Sequence, residues 1–98
     1  MDQSQALLAL AALGQATRLQ LFEMLVPRGR AGMSAGAIAE RLGVAPSSLS
    51  FHLTQLVHSG LLVQRRFGRQ LIYSADPAVM GELLDYLDAQ CRATETVA

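Results

Sequence analysis

The stretch Ser34–Gly60, SAGAIAERLGVAPSSLSFHLTQLVHSG, decides the fold. Ser34 is a helix cap, and the pattern after it predicts a short helix through Leu42 with Ile38 and Leu42 facing inward. Gly43 closes that helix, and Gly43-Val44-Ala45 leaves room only for a tight turn. Pro46 then stands where a first helical residue belongs, and a second helix is predicted to about Ser59, ended by Gly60. Two helices joined by so short a turn form the helix-turn-helix unit, whose second helix can enter the major groove of DNA.

At about 100° per residue, Leu49, Leu53, Leu56 and Val57 make one stripe of the second helix, the expected core side. Ser47, Ser48, Phe51, Thr54, Gln55 and His58 lie opposite, with Ser50 and His52 on the flanks. From Pro46 to Gln64 there is no formal charge, whereas a solvated helix face usually carries Glu, Lys or Arg. Hydroxyls and amides of this size bond to base edges or phosphates, and an outward phenyl ring can touch a thymine methyl. Ser47, Ser48, Ser50, Phe51, His52, Thr54 and Gln55 are therefore the candidate DNA contacts of this helix.

Beyond Gly60 the period changes. Leu62–Arg66 and Gln70–Ser74 read as two strands joined by Phe67-Gly68-Arg69. Arg65, Arg66 and Arg69 flank the tip, where a basic hairpin can neutralise phosphates and release counterions. Upstream, residues 3–13 read as a helix apolar almost all round. Thr17–Val26 reads as an amphipathic helix with Leu19, Phe22, Leu25 and Val26 inward, stopped by Pro27. Asp76 and Pro77 open a last helix to about Arg92, with a frayed tail from Ala93. The predicted order is α-α-α-α-β-β-α: a mainly helical chain with one small hairpin, a winged helix-turn-helix. Phe22 and Tyr73 are expected in its core.

Composition bounds the rest. Ninety-eight residues, 51% apolar and 16% charged, suit one folded domain and exclude disorder. The net charge of zero hides an asymmetry. Residues 1–75 carry seven Arg against Asp2, Glu23 and Glu40, and residues 76–98 carry five acids against Arg92. Every basic residue is Arg, the better fork for phosphates and guanine edges. The longest apolar run, Ala6–Leu13, is far short of the roughly 20 residues that span a bilayer. An acidic start without a basic leader argues against a signal peptide, and a lone Cys91 fits a reducing cytoplasm, so a cytoplasmic protein without membrane partner is expected. No Walker loop, GxGxxG or metal-spaced Cys/His cluster appears, so nothing supports an enzyme.

Thr17-Arg18-Leu19, Ile38–Gly43, Ser47–Leu53, Leu56, Ser59-Gly60-Leu61 and Arg65…Gly68-Arg69…Tyr73 together resemble the ArsR/SmtB family of dimeric winged-helix transcriptional repressors, over roughly residues 5–92. The resemblance implies a homodimer through the first and last helices, binding an inverted-repeat operator in double-stranded DNA and released by an effector. It also implies that Ser47, Ser50, Phe51 and His52 lie on the DNA-reading helix. Leu7, Leu10, Leu84 and Leu87 are the expected seam, presenting more apolar surface than so short a chain can hide. A winged-helix module that docks a protein through Phe51 is the alternative.

The departures concern the effector. Many members hold arsenite or soft metals through Cys-x-Cys early in the third helix, where this chain reads Met33-Ser34-Ala35-Gly36-Ala37. Others bind zinc between the last helices, at positions that align here with Pro77, Val79, Ala89 and Arg92. Tyr86–Cys91 resembles the helix end of an arsenite-responsive subgroup but keeps one of its cysteines. Trivalent arsenic or antimony prefers two or three thiolates, so Cys91 would need the partner's Cys91. The other reading of Cys91 is a buried, inert hydrophobe, since it falls on the arc of Met80, Leu83, Leu84 and Leu87. Both stand at this point.

Overall fold

A computed structural model describes residues 1–97, with side chains through Ala93. Helix α1 spans Gln3–Leu13 and α2 spans Ala16–Leu25, followed by a 3-10 segment over Val26–Ala31. Strand β1 is Met33–Ser34, α3 is Ala35–Leu42 and α4 is Pro46–His58. The hairpin consists of β2 (Leu62–Phe67) and β3 (Gln70–Ala75), and α5 runs Pro77–Val97. The winged helix-turn-helix order read from the sequence holds.

Local chemistry explains the borders. Asp2 and Gln5 form a reciprocal capping box on α1, each side chain taking the other's backbone N–H at 2.8 Å. Ser34 Oγ accepts from the Ala37 N–H at 3.2 Å and starts α3. Gly43 ends it in the left-handed region at φ 67°, its N–H donating to Ala39 O at 2.9 Å. That residue turns the chain at once into Pro46, the first residue of α4.

The structure departs from the sequence reading in three places. A third strand exists: Met33 and Ser34 pair with Tyr73 and Ile72, giving the antiparallel order β1-β3-β2. A Cβ on Gly32 would overlap the Tyr73 carbonyl, so only glycine lets β1 come this close. On α2, Leu21, Phe22 and Leu25 are buried while Leu19 and Val26 are exposed, because the core stripe is rotated towards Leu21. Helix α5 continues past Ala93 to Val97, since no Gly or Pro follows Gly81 in it and Asp88 pairs with Arg92 one turn on at 2.7 Å.

Leu49, Leu53 and Leu56 of α4 are buried with Ile38 of α3 and Leu21 and Leu25 of α2. Each such leucine contributes about 1.5–3 kcal/mol by leaving water. Phe22 and Tyr73 join this core, as expected. Helix α1 is built the other way: Ala6, Ala9 and Ala12 face inward, and Leu7, Leu8 and Leu10 face out. Helix α5 packs on α1 and buries Leu83, but leaves Leu84 59% and Leu87 37% exposed. Among the described residues no helix is long and apolar enough to cross a membrane.

Candidate nucleic-acid interface

The core stripe of α4 fixes which of its side chains reach solvent. Ser47, Ser48, Ser50, Phe51, Thr54 and His58 are exposed, and His52 and Gln55 are half-buried. Phe51 is 60% exposed, with its ring edge-on to His52 at 5.9 Å. The Thr54 hydroxyl donates to Ser50 O at 2.9 Å, so its proton is committed within the helix. Thr54 is left with acceptor lone pairs and a methyl group to present outward.

His52 is held from behind. Its Nδ1 lies 3.3 Å from a terminal nitrogen of Arg18 on α2. Burial, and then the Arg18 charge, lowers its pKa from the usual 6.5. The sequence reading placed His52 on a flank of the helix, and there it sits, with one nitrogen already engaged.

The hairpin divides its arginines. Cross-strand partners share a face and neighbours alternate. Arg66 pairs with Leu71 and shares the face of the Gln64–Tyr73 pair, which looks towards α4. Arg65 pairs with Ile72 on the opposite face. Its guanidinium donates to the carbonyl oxygens of Arg30 at 2.8 Å and Ala31 at 3.4 Å, so it staples the wing to the 3-10 segment. Arg69 follows Gly68 in a two-residue turn, with φ 62° at Gly68 and no positive φ at Arg69, the II′ pattern. The structure therefore brings Arg66 and Arg69 to the α4 side or the tip, and engages Arg65 elsewhere.

Between α4 and the wing runs a cleft of about 400 Å³, lined by Ser50, Thr54, His58, Gln64, Leu71 and Tyr73. Gln64 Nε2 donates to Tyr73 Oη at 3.1 Å across its floor, and burial raises the Tyr73 pKa above 10. The surrounding chain is one-signed: from Arg41 to Ala75 there are four Arg and no carboxylate.

Sequence reasoning missed Phe67, which at 70% exposed stands in water beside the turn. Its signal was present, an aromatic ring between Arg66 and Arg69 at a hairpin tip. It also missed Arg18, whose role depends on a residue 34 positions away.

The pattern that defines the Helix-turn-helix domain family matches residues 13–65, more than half of the chain. The chain belongs to the helix-turn-helix domain family. It is similar to the HTH-type transcriptional regulator YbzH of Bacillus subtilis (strain 168), at 26% identity over 91 residues, 81% of this chain and 91% of that one. It resembles the solved structure of an ArsR-like transcriptional regulator from Rhodococcus sp. RHA1, at 28% identity, covering 97% of this chain and 93% of that one with a TM-score of 0.76. It also resembles the homodimeric winged helix-turn-helix domain of Mb0332 from Mycobacterium bovis, a possible ArsR-family regulator, at 26% identity, covering 97% and 83% of the two chains with a TM-score of 0.71. These helix-turn-helix proteins are transcriptional regulators, not enzymes.

For a soft-metal effector this helix-turn-helix chain has a poor donor set. Among the described residues no group of three or more His, Cys, Asp or Glu side chains converges. Cys91 is exposed, which corrects the reading of it as a core hydrophobe of its own protomer. With one thiol per chain, the two thiolates that trivalent arsenic or antimony needs at least would have to come from Cys91 and the partner's Cys91.

Proposed function

We propose that this protein is a DNA-binding transcriptional repressor of the ArsR type, acting as a homodimer on an inverted-repeat operator. Helix α4 enters the major groove and reads base edges with Ser47, Ser48, Ser50, Phe51, His52, Thr54 and Gln55. Arg66 and Arg69 follow the phosphates, and Phe67 stands at the wing tip between them. The observation that carries this reading is the acid-free surface of residues 41–75. An uncharged polar helix face with an outward ring lies beside an Arg-bearing wing and repels no phosphate. The homodimeric Mycobacterium bovis neighbour and the outward leucines of α1 and α5 support the dimer, with Leu7, Leu10, Leu84 and Leu87 at the seam.

The mechanism is geometric. A dimer presents two reading helices about 34–36 Å apart, one turn of DNA. An effector that binds a different dimer arrangement more tightly changes that spacing and releases the operator. An arsenite or antimonite response through Cys91 would require the partner's Cys91 beside it, two thiolates in all.

Titration against random-sequence duplexes at two salt concentrations tests the reading. The regulator should bind with a steep fall in affinity as salt rises. A protein-docking module with Phe51 as its anchor shows neither appreciable binding nor that slope, and such a result overturns the proposal.

A further inference from the structure

Arg18 connects three helices without a carboxylate. Its backbone N–H donates to the Gln15 side chain at 2.9 Å, which starts α2. Its Nε donates to the Ala12 carbonyl in the last turn of α1 at 2.7 Å. A terminal nitrogen reaches His52 Nδ1 on α4 at 3.3 Å. Among the described residues no Asp or Glu forms a salt bridge with Arg18. A half-buried guanidinium placed on two neutral acceptors is held for its geometry, because two fixed N–H directions can orient two elements at once.

The contact also decides the state of the ring. Guanidinium only donates, so His52 Nδ1 must accept and the imidazole proton must sit on Nε2. Protonating Nδ1 would remove the acceptor and set two cations 3.3 Å apart. Nε2 is the ring nitrogen that the Arg18 contact leaves over, on a helix whose neighbouring side chain Phe51 stands in solvent. A neutral ring with a single N–H donor selects an acceptor such as guanine O6 or N7 or thymine O4. An imidazolium would grip any phosphate.

We propose that Arg18 is a positioning residue for DNA reading: it fixes His52 as the neutral Nε2–H donor and ties the reading helix to the end of α1. The inference rests on the regulator reading above. Because α1 also carries Leu7 and Leu10 of the seam and packs on α4, Arg18 adds a polar link between dimer geometry and the orientation of α4.

The test combines ring titration by nuclear magnetic resonance with DNA selectivity. Selectivity is the ratio of affinities for a duplex selected from a random library and for unselected duplexes. Wild type, Arg18→Lys, Arg18→Met, His52→Ala and the Arg18→Lys/His52→Ala double variant are compared, each checked for folding by thermal melt. The His52 titration should sit below the ordinary 6.5 in wild type and move up in Arg18→Met. Arg18→Lys keeps the charge and loses the fork, so it should lose about tenfold in selectivity, on the scale of one wrong base pair. The double variant should lose no more than His52→Ala alone.

Wild-type selectivity in Arg18→Lys, additive losses in the double variant, or an unmoved His52 titration in Arg18→Met would each overturn the role. If Arg18→Met does not fold, the Lys variant and the double variant still decide. A wild type that selects no sequence at all overturns the regulator reading itself, and this role with it.

Discussion

Two surfaces of this chain hold apolar side chains in water, and their surroundings differ. On α1 and α5 the exposed residues are leucines, Leu7 at 60% and Leu84 at 59%, and α5 adds Glu82, Asp85 and Asp88. On α4 and the wing the most exposed are phenyl rings, Phe51 at 60% and Phe67 at 70%, set among hydroxyls and arginines with no carboxylate between residues 41 and 75. Aliphatic surface fringed by acids repels a polyanion and suits another copy of itself. Aromatic surface fringed by Arg suits DNA. Exposure alone does not separate the two; the charge around it does.

The largest effect that can break this contrast is on the leucine side. Leu84→Asp should give a monomer by sedimentation and lose the bivalent part of operator binding, a factor of about 10²–10⁴. A folded monomer that keeps full affinity for a palindrome would refute the seam. Next comes the wing. Arg66→Ala and Arg69→Ala should weaken binding to every duplex and flatten the salt slope by roughly 0.9 for each lost phosphate contact. Arg65→Ala sharpens the comparison, since its guanidinium serves the carbonyls of Arg30 and Ala31. It should leave the slope alone and cost about 1 kcal/mol of stability in urea unfolding. On the reading helix, Phe51→Ala should cost about 1–3 kcal/mol at particular base pairs and little on random DNA. Uniform loss across sequences would make Phe51 a support for the helix.

The smallest effect is with pH. His52 is depressed in the folded chain, so the unfolded chain takes up the proton first. The stability that this histidine contributes is complete above about 6.5 and declines as pH falls below that value. Urea midpoints at pH 7.5 and 5.5 should therefore fall more for wild type than for His52→Gln. Equal falls would contradict the Arg18–His52 contact.

Much of this architecture was legible because its signals are local. Ser34, Gly43 and Pro46 each act within a few residues, and they alone set the turn between α3 and α4. The leucine spacing of α4 fixed its buried stripe for the same reason. What escaped was set across the fold. Strand β1 has two residues and exists only because Gly32 lets it meet Tyr73 and Ile72. On α1, a run apolar all round gives no phase: Leu7 and Leu10 were expected at the seam, but nothing in the run showed that Ala6, Ala9 and Ala12 would make the inner face. Arg65 and Arg66 looked like one patch until pairing with Ile72 and Leu71 put them on opposite faces. Of the arc of Met80, Leu83, Leu84, Leu87 and Cys91, only Leu83 is fully buried within the protomer, and Cys91 is exposed.

Selection of binding sites from random-sequence DNA by the wild-type protein tests the central claim most directly. A dimer with α4 in the major groove should enrich an inverted repeat with half-site centres about 10–10.5 base pairs apart, retained by two chains per duplex. Enrichment of no sequence, or of a single unpaired half-site, would contradict it.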